Sequence, residues 1–491
     1  MQQQEQRGKH PMKPVSRSVQ HLRWLALPAA LIILPAAAEQ VDWELRPTVG
    51  LSQIYSDNIA LAPSGERDDD FVTQLKAGLE LSARTLRFRG LLDYNLLGLV
   101  YWDNSDFNDV FHQGNGALRF DAVPDRFFID ASTRYYQRLR SRAGTGGDII
   151  NVGVDRTDVW EFGISPTYLH RFQNWADLRA SYAYDRIDYE VSELREIDSQ
   201  SHRFMVDLTS GSAFSTFGWE LSFDREETDF DDGSSVTFQT AEALGRWNVT
   251  DRFSAFAAVG DENNSFEQDP PRARPSDTFW RVGGTFQPGP RTFLEAFVGE
   301  RYFGTTFGLD FEHRIRDGRL FAGYSEELAT VGRGRRGQLI DDDGLPVFDP
   351  GTGDPIFEEP DLLVGAFLRK RFEAGAALAR PRTQATFRFY NQRREFERTS
   401  RRESSFGLVV NADWQASPRM KVYGDARYEE TDFADIVDRD DSLFSLRMGI
   451  SRELARRTSA SVDYRFTYRD STDGRFDYRE NRLTATVTHR F

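Results

Sequence analysis

Five histidines stand beyond residue 38, namely His112, His170, His202, His313 and His489, and any imidazole chemistry has to be built on one of them. A hydroxyl nucleophile needs an imidazole as base and a carboxylate to orient it, all converging on one point. None of the five has a Ser and an Asp at a spacing that gathers the three at an outward or rim position. Alternation instead puts His112, His202, His313 and His489 on extended segments with their rings outward or at a rim, and His170 beside a tight turn. We read them as interfacial aromatics rather than as the base of a lipid hydrolase, and assign no catalytic residue and no cofactor.

Carboxylates gather once in a way that suggests a cation. Asp341-Asp342-Asp343-Gly344, then Asp349 and Asp354, supply oxygen ligands and a glycine turn, the ingredients of a calcium loop. In an EF-hand the acids alternate with other residues before the glycine, and here they are adjacent. The stretch therefore reads as a solvated acidic loop, and no metal is assigned. Asp68-Asp69-Asp70 and the run from Asp229 to Asp232 read the same way, as parts of a negative rim.

The cations are nearly all guanidinium, since Lys occurs beyond residue 38 only as Lys76, Lys370 and Lys421. Eleven charged residues fall on the polar side of alternating segments: Arg87, Arg89, Asp93, Arg134, Arg179, Asp207, Arg388, Arg427, Asp463, Arg465 and Arg482, with Tyr136, Tyr390 and Tyr423 nearby. Guanidinium pairs bidentately with carboxylate and stacks on aromatic rings. The favoured reading is a rigid wall of Arg and Asp cross-links. The second is a polar track of Arg and Tyr that guides an acidic or neutral polysaccharide.

Both readings need an element that presents charge on one side only. From Trp43 onward the sequence alternates with period two over segments of roughly 9 to 13 residues. Leu483, Ala485, Val487, His489 and Phe491 oppose Arg482, Thr484, Thr486, Thr488 and Arg490. Phe217, Trp219, Leu221 and Phe223 oppose Glu220, Ser222 and Asp224. Short turns such as Val123-Pro124-Asp125-Arg126, Arg316-Asp317-Gly318 and Arg380-Pro381-Arg382 take turns with longer polar loops at 140–155, 262–275, 331–360 and 432–441. This layout gives about 22 strands, between about 18 and 24, with a first strand at 43–55, a last at 478–491 and the poorest phasing at 364–378.

Before this pattern lies Trp24 to Ala38, apolar but shorter than the roughly 20 residues a membrane helix needs. It follows Lys9, Lys13, Arg17 and Arg23 and ends in Ala36-Ala37-Ala38. That is the form of a cleaved export signal, whichever of Met1 and Met12 starts it. Residues 1–38 are thus expected to be removed, leaving 39–491 as the folded domain. In that domain 57 Lys and Arg face 76 Asp and Glu, a net charge of −19 that argues against a nucleic-acid partner. Cysteine is absent, so neither disulfides nor thiolate chemistry contribute.

A long meander with one apolar face would precipitate in water. In lipid every backbone group must be paired, so its first and last strands must join. The expected fold is all-β: a transmembrane antiparallel up-and-down β-barrel with apolar side chains outward, a charged wet lumen and no plug domain. A soluble propeller would show a repeat of about 40 to 50 residues, which is missing.

The stretch Pro47-Thr48-Val49-Gly50-Leu51-Ser52-Gln53-Ile54-Tyr55-Ser56-Asp57-Asn58-Ile59, then Asp70-Phe71-Val72, Gly78-Leu79-Glu80-Leu81-Ser82 and Gly299-Glu300-Arg301-Tyr302-Phe303-Gly304, resembles the PEP-CTERM-system-associated outer-membrane β-barrel proteins of Gram-negative bacteria. The resemblance covers the chain beyond the signal and consists of strand and turn patterns without catalytic residues. It implies a porin-type barrel in a Gram-negative outer membrane, associated with exopolysaccharide biosynthesis or export. The implied partners are outer-membrane lipid and lipopolysaccharide, the insertion machinery that reads a last strand ending in Phe491, polysaccharide, and periplasmic export components. Alternatives are a general diffusion porin narrowed by an inward loop at 331–360, and a non-conducting structural or assembly-partner barrel. A TonB-dependent transporter is disfavoured, because the first strand starts within about five residues of the cleavage site and leaves no room for a plug.

Overall fold

The computed structural model describes residues 41–140, 146–191, 197–268, 275–330, 333, 365–399, 401–433 and 439–491. Strands take up most of them: β1 Asp42–Ser56, β2 Asp70–Arg84, β3 Phe88–Tyr101, β4 Asp109–Val123, β5 Phe127–Leu139, β6 Arg156–Phe172, β7 Ala176–Tyr189, β8 Ser199–Ser210, β9 Phe217–Phe230, β10 Ser235–Thr250 and β11 Phe253–Asn263. The second half continues with β12 Ser276–Gly289, β13 Thr292–Arg301, β14 Gly304–Ile315, β15 Gly318–Ala329, β16 Phe367–Arg380, β17 Thr383–Phe396, β18 Arg402–Ser417, β19 Met420–Asp432, β20 Asp440–Ala455, β21 Thr458–Ser471 and β22 Tyr478–Arg490. Each strand pairs antiparallel with the next, and β1 pairs with β22 from Thr48↔Arg490 to Ser56↔Arg482, closing a 22-stranded barrel. The Phe491 backbone N–H donates to the Pro47 carbonyl oxygen at 2.9 Å, tying the chain end into the closure.

Alternation sorts the side chains as the sequence demands. Val49, Leu51, Leu75, Val259, Phe387, Met448, Ile450, Val462, Leu483 and Val487 stand exposed on the outer face. An Arg there would cost about 2 to 4 kcal/mol at the middle of a bilayer. Trp43, Trp175, Trp247 and Trp414 form a girdle at the short-turn end, with Trp102 and Trp280 toward the long-loop end. The short turns are closed by local hydroxyls: Thr85 Oγ1 accepts from the N–H groups of Arg87 and Phe88, and Thr250 Oγ1 from those of Arg252 and Phe253. Arg87 therefore belongs to the β2–β3 turn. The alternation expected it on the lumen wall, but the strand begins one residue later, at Phe88.

The inner face is less uniformly charged than expected. Leu244, Phe256 and Ala258 form a buried inward cluster with Phe297 against it. Rings on this face lie flat over glycines of the next strand: Phe297 over Gly308, Tyr390 over Gly407 and Tyr423 over Gly449, where an added Cβ would meet the ring. An aromatic ring can face a lumen when a glycine on the neighbouring strand leaves a notch for it, which also covers backbone that would otherwise be bare.

Two seams part near the long-loop end. β4 and β5 pair only as far as Gly114↔Tyr135, although β4 begins at Asp109 and β5 runs to Leu139. β14 and β15 pair only as far as Leu309↔Tyr324, although β14 begins at Gly304 and β15 runs to Ala329. In both places the later strand stays paired with its following neighbour, β6 or β16, which in turn stays paired with β7 as far as Val159↔Tyr189 or with β17 as far as Phe367↔Phe396, so the wall opens along one edge only. The displacement is inward. Gln137, outward by alternation, is bonded to inward Gln113. Leu328, also outward by alternation, clusters with Phe230, Val236 and Phe238, which face the lumen from β9 and β10.

Candidate functional site in the barrel lumen

The β5–β6 hairpin carries the loop at 140–155, expected from the sequence to be one of the polar exterior loops. Its described part instead enters the barrel, because it contains Asp148-Ile149-Ile150-Asn151-Val152, two apolar positions and a third that cannot stay in water cheaply. Ile149, Ile150 and Val152 are buried with Ile54 of β1, Ile59, Val72 of β2, and Leu97, Leu99 and Tyr101 of β3. The Tyr101 hydroxyl donates to the Ile150 carbonyl oxygen at 2.8 Å. Leu97 lies well below the long-loop end of β3, so the segment sits inside the lumen rather than over it.

Polar contacts fix the same segment to the wall beyond the closure. The Asp148 carboxylate takes hydrogen bonds from Arg482 at 2.5 Å and Arg465 at 3.0 Å. Asn151 accepts from Arg482 at 3.0 Å and donates to Glu480 at 3.1 Å, while Glu480 also accepts from Ser56 at 2.6 Å. Burial would push the Asp148 carboxyl up, but the guanidiniums of Arg482, Arg465 and Arg156 outweigh it and hold the group well below the usual carboxylate range. The loop thus reaches from its root between β5 and β6 to β21 and β22 and is clamped there by a buried ionic cluster.

The wall below carries ion pairs. Arg447 binds Asp463 at 3.2 Å and stacks 5.2 Å from the Tyr423 ring centroid. Arg427 binds Glu429 at 2.7 Å, Tyr390 donates its hydroxyl to the same Glu429, and Arg371 stacks 5.2 Å from the Tyr390 ring. Arg134 binds Glu161 at 3.6 Å, and Arg179 faces Asp207 in register. Asp93 accepts from the Asn95 amide, and Arg89 faces Arg84 and Arg119 near the short-turn rim. Arg388 lies between Gly375 and Val409 and has no ion pair among the described residues. Ten of the eleven lumen candidates therefore occupy inward strand positions, Arg87 being the exception. Only Arg465 and Arg482 belong to the loop clamp, and Asp463 joins them through neighbouring Arg447.

Sequence reasoning missed the other half of the clamp, Asp148 and Asn151, along with Glu480. The signal was the Ile-Ile pair inside a polar loop. It also read Asp70 as part of a solvated rim, whereas Asp70 is fully buried and accepts from the backbone N–H groups of Trp102, Asp103 and Asn104, each at 3.1 Å. The acidic stretch from Asp341 to Asp354 and the proposed constriction at 331–360 lie outside the described residues, apart from Arg333. The five histidines each place Nδ1 against a hydroxyl: His112 on Tyr94, His170 on Tyr168, His202 on Tyr182, His313 on Thr292 and His489 on Thr458.

Residues 374–491, from within β16 to the end of the chain, match the family described as "Putative beta-barrel porin 2". No curated protein matches the chain in sequence. Among solved structures, the siderophore receptor PirA from Acinetobacter baumannii is similar with a TM-score of 0.51 and 10% identity, over 92% of this chain and 81% of that one. The FrpB iron transporter from Neisseria meningitidis, F5-1 variant, gives 0.51 and 9%, over 91% and 82%. At such identities the likeness is one of fold.

Proposed function

We propose that the chain is a porin-like barrel of a Gram-negative outer membrane whose lumen, narrowed by the clamped β5–β6 loop, is a conduit for an acidic or neutral polysaccharide in an exopolysaccharide export or envelope system. The observation that carries this reading is a lumen both restricted and lined by paired charge and aromatic rings. Arg427, its side chain about two-fifths exposed beside Glu429, offers donors for hydroxyl or carboxylate oxygens, while the buried Tyr390 and Arg447 stiffen the wall behind it. The reading takes residues 1–38 as an export signal, the rest as one barrel without a plug, and β22 ending in Phe491 as the strand presented to the insertion machinery. It includes no catalytic step and no cofactor.

Deleting the gene should remove surface polysaccharide, and Arg388→Ala in the lumen should reduce it without loss of folded barrel. Normal polysaccharide in the deletion strain rejects the export role. A general diffusion porin is the second reading, favoured by the inward loop and by the family match of the last strands. Steady conductance in planar bilayers with release of small sugars from liposomes, and unchanged surface polysaccharide in the deletion strain, would select it.

A further inference from the structure

The β14–β15 seam parts although the register would let it continue. Pairing runs from Ile315↔Gly318 to Leu309↔Tyr324 and stops, yet β13 holds β14 as far as Gly304 and β16 holds β15 as far as Ala329. Extending the register would join Gly308 to Ser325, Phe307 to Glu326, Thr306 to Glu327, Thr305 to Leu328 and Gly304 to Ala329. Instead the end of β15 crosses toward β9: Leu328 is 6% exposed in the cluster with Phe230 and Val236, and Arg333 lies 3.7 Å from both Asp224 and Glu226.

The displaced segment carries a mixed face in either position: on the outward parity Leu328 and Leu368 stand next to the charged pair Glu326 and Lys370, and on the inward parity Glu327 and Arg369 stand next to Ala329 and Phe367. The Glu327–Arg369 pair joins β15 to β16 within the hairpin, so it travels with the hairpin in either position. Leu328 is buried where it is, and would be covered by lipid if it returned to the wall. What differs between the two arrangements is sheet hydrogen bonding at five positions against the packing of Leu328 and Ala366, the Arg333 contacts at 3.7 Å and its stack 5.1 Å from the Phe238 ring. Open strand edges are not tolerated in hydrocarbon, which favours rejoining wherever lipid reaches the seam.

We infer that the β14–β15 seam is a gate: the upper β15–β16 hairpin leans into the lumen in one state and zips onto Gly304–Gly308 of β14 in the other, widening the passage. The seam itself is independent of what passes, and only the conductance readout rests on the conduit reading.

The absence of cysteine makes the test clean. Thr306→Cys with Glu327→Cys, and Thr305→Cys with Leu328→Cys, probe adjacent register positions. Such positions alternate between closer and wider pairs, and both spacings fall within the Cα range of a disulfide. Asp310→Cys with Gly323→Cys, already paired, is the control. Oxidised protein in bilayers should cross-link at one or both test pairs, as read by mass spectrometry. Linked T306C/E327C or T305C/L328C barrels should conduct at least about twofold better, returning to the wild-type level with reductant. A control that links while both test pairs stay free overturns the gate, and so does a linked test pair with unchanged conductance. A wild-type barrel that passes no ions in either state counts against the conduit, while the cross-linking yield still decides the seam.

Discussion

Where β5 leaves β4, a side chain replaces the lost ladder: the Gln137 amide donates to the His112 carbonyl oxygen at 3.0 Å and to Asp158 at 2.8 Å, and accepts from Gln113 at 3.4 Å. Where β15 leaves β14, no side-chain hydrogen bond crosses the parted positions among the described residues. The two seams lie ten strands apart in a ring of 22, nearly opposite one another. The first hairpin is held further by the buried Asp148 clamp, the second by apolar packing, by Arg333 stacked on Phe238 and 3.7 Å from Asp224 and Glu226, and through the neighbouring β17–β18 turn by Arg398, exposed to about two-fifths and paired with Asp232 at 3.0 Å. Directional bonds are lost within a few tenths of an ångström, whereas apolar contact tolerates sliding. One inward hairpin is therefore fixed and the other is poised.

The largest effect should come from unclamping the fixed side. Asp148→Ala leaves Arg482 and Arg465 buried beside a missing partner, which typically costs about 3 to 5 kcal/mol. The β5–β6 loop should leave the lumen, raising single-channel conductance several-fold and exposing 146–155 to protease. Unaltered conductance and protection would mean that apolar packing alone holds the loop, and that the two hairpins are alike after all.

Gln137→Ala tests the stitch itself. Losing it leaves a buried carbonyl and carboxylate short of a donor, at about 1 to 3 kcal/mol. Hydrogen exchange at the upper ends of β4 and β5 should quicken while exchange around Thr306 stays the same. Equal quickening at both seams would show that they are coupled rather than distinct. Gly407→Val presses a side chain into the Tyr390 ring and should lower the unfolding temperature seen by gel mobility, an overpacking cost of about 1 to 3 kcal/mol. Gly98→Val is the control, since an added Cβ there meets only the Leu75 carbonyl oxygen at 4.0 Å.

These residues also mark what alternation can and cannot reveal. Period two led to about 22 strands within a range of 18 to 24 and to the face of most positions, because each outward position must satisfy lipid whatever its neighbours do, while the closure followed from the need to pair every edge there. It placed Arg465 and Arg482 on the inner wall for the same reason. It was silent on Asp148, whose partners are more than 300 positions away along the chain. It was silent on Phe297 and Gly308 too, since a ring over a glycine depends on register between strands. Parting seams are the extreme case: Leu328 and Gln137 follow the outward parity faithfully, and only the tertiary fold turns that face toward the lumen. The strand at 364–378 was poorly phased for a related reason, being β16 at Phe367–Arg380, whose upper part belongs to a displaced hairpin.

Two buried loop aspartates should separate the fixed regions by pH, with the smallest effect of all. Asp198, between β7 and β8, accepts the Tyr189 N–H at 2.7 Å. Burial pushes its carboxyl up to about 6 from an ordinary 3.8, that N–H and Arg186 opposing the shift and Asp188 and Asp231 adding to it. The folded state thus binds this proton more readily than the unfolded chain does, so stability rises as pH falls from about 6 toward about 4. Asp148 has the opposite sign: its carboxyl is depressed, so the clamp keeps its full strength above the ordinary carboxylate range and weakens only as pH falls through its lower folded value. Acidifying from pH 7 to 4 should therefore slow exchange of the Tyr189 amide, after correction for the intrinsic pH dependence, and leave conductance through the clamped lumen unchanged. A conductance step inside that window would remove Asp148 as the latch, and would assign the fixed hairpin to a group that titrates there.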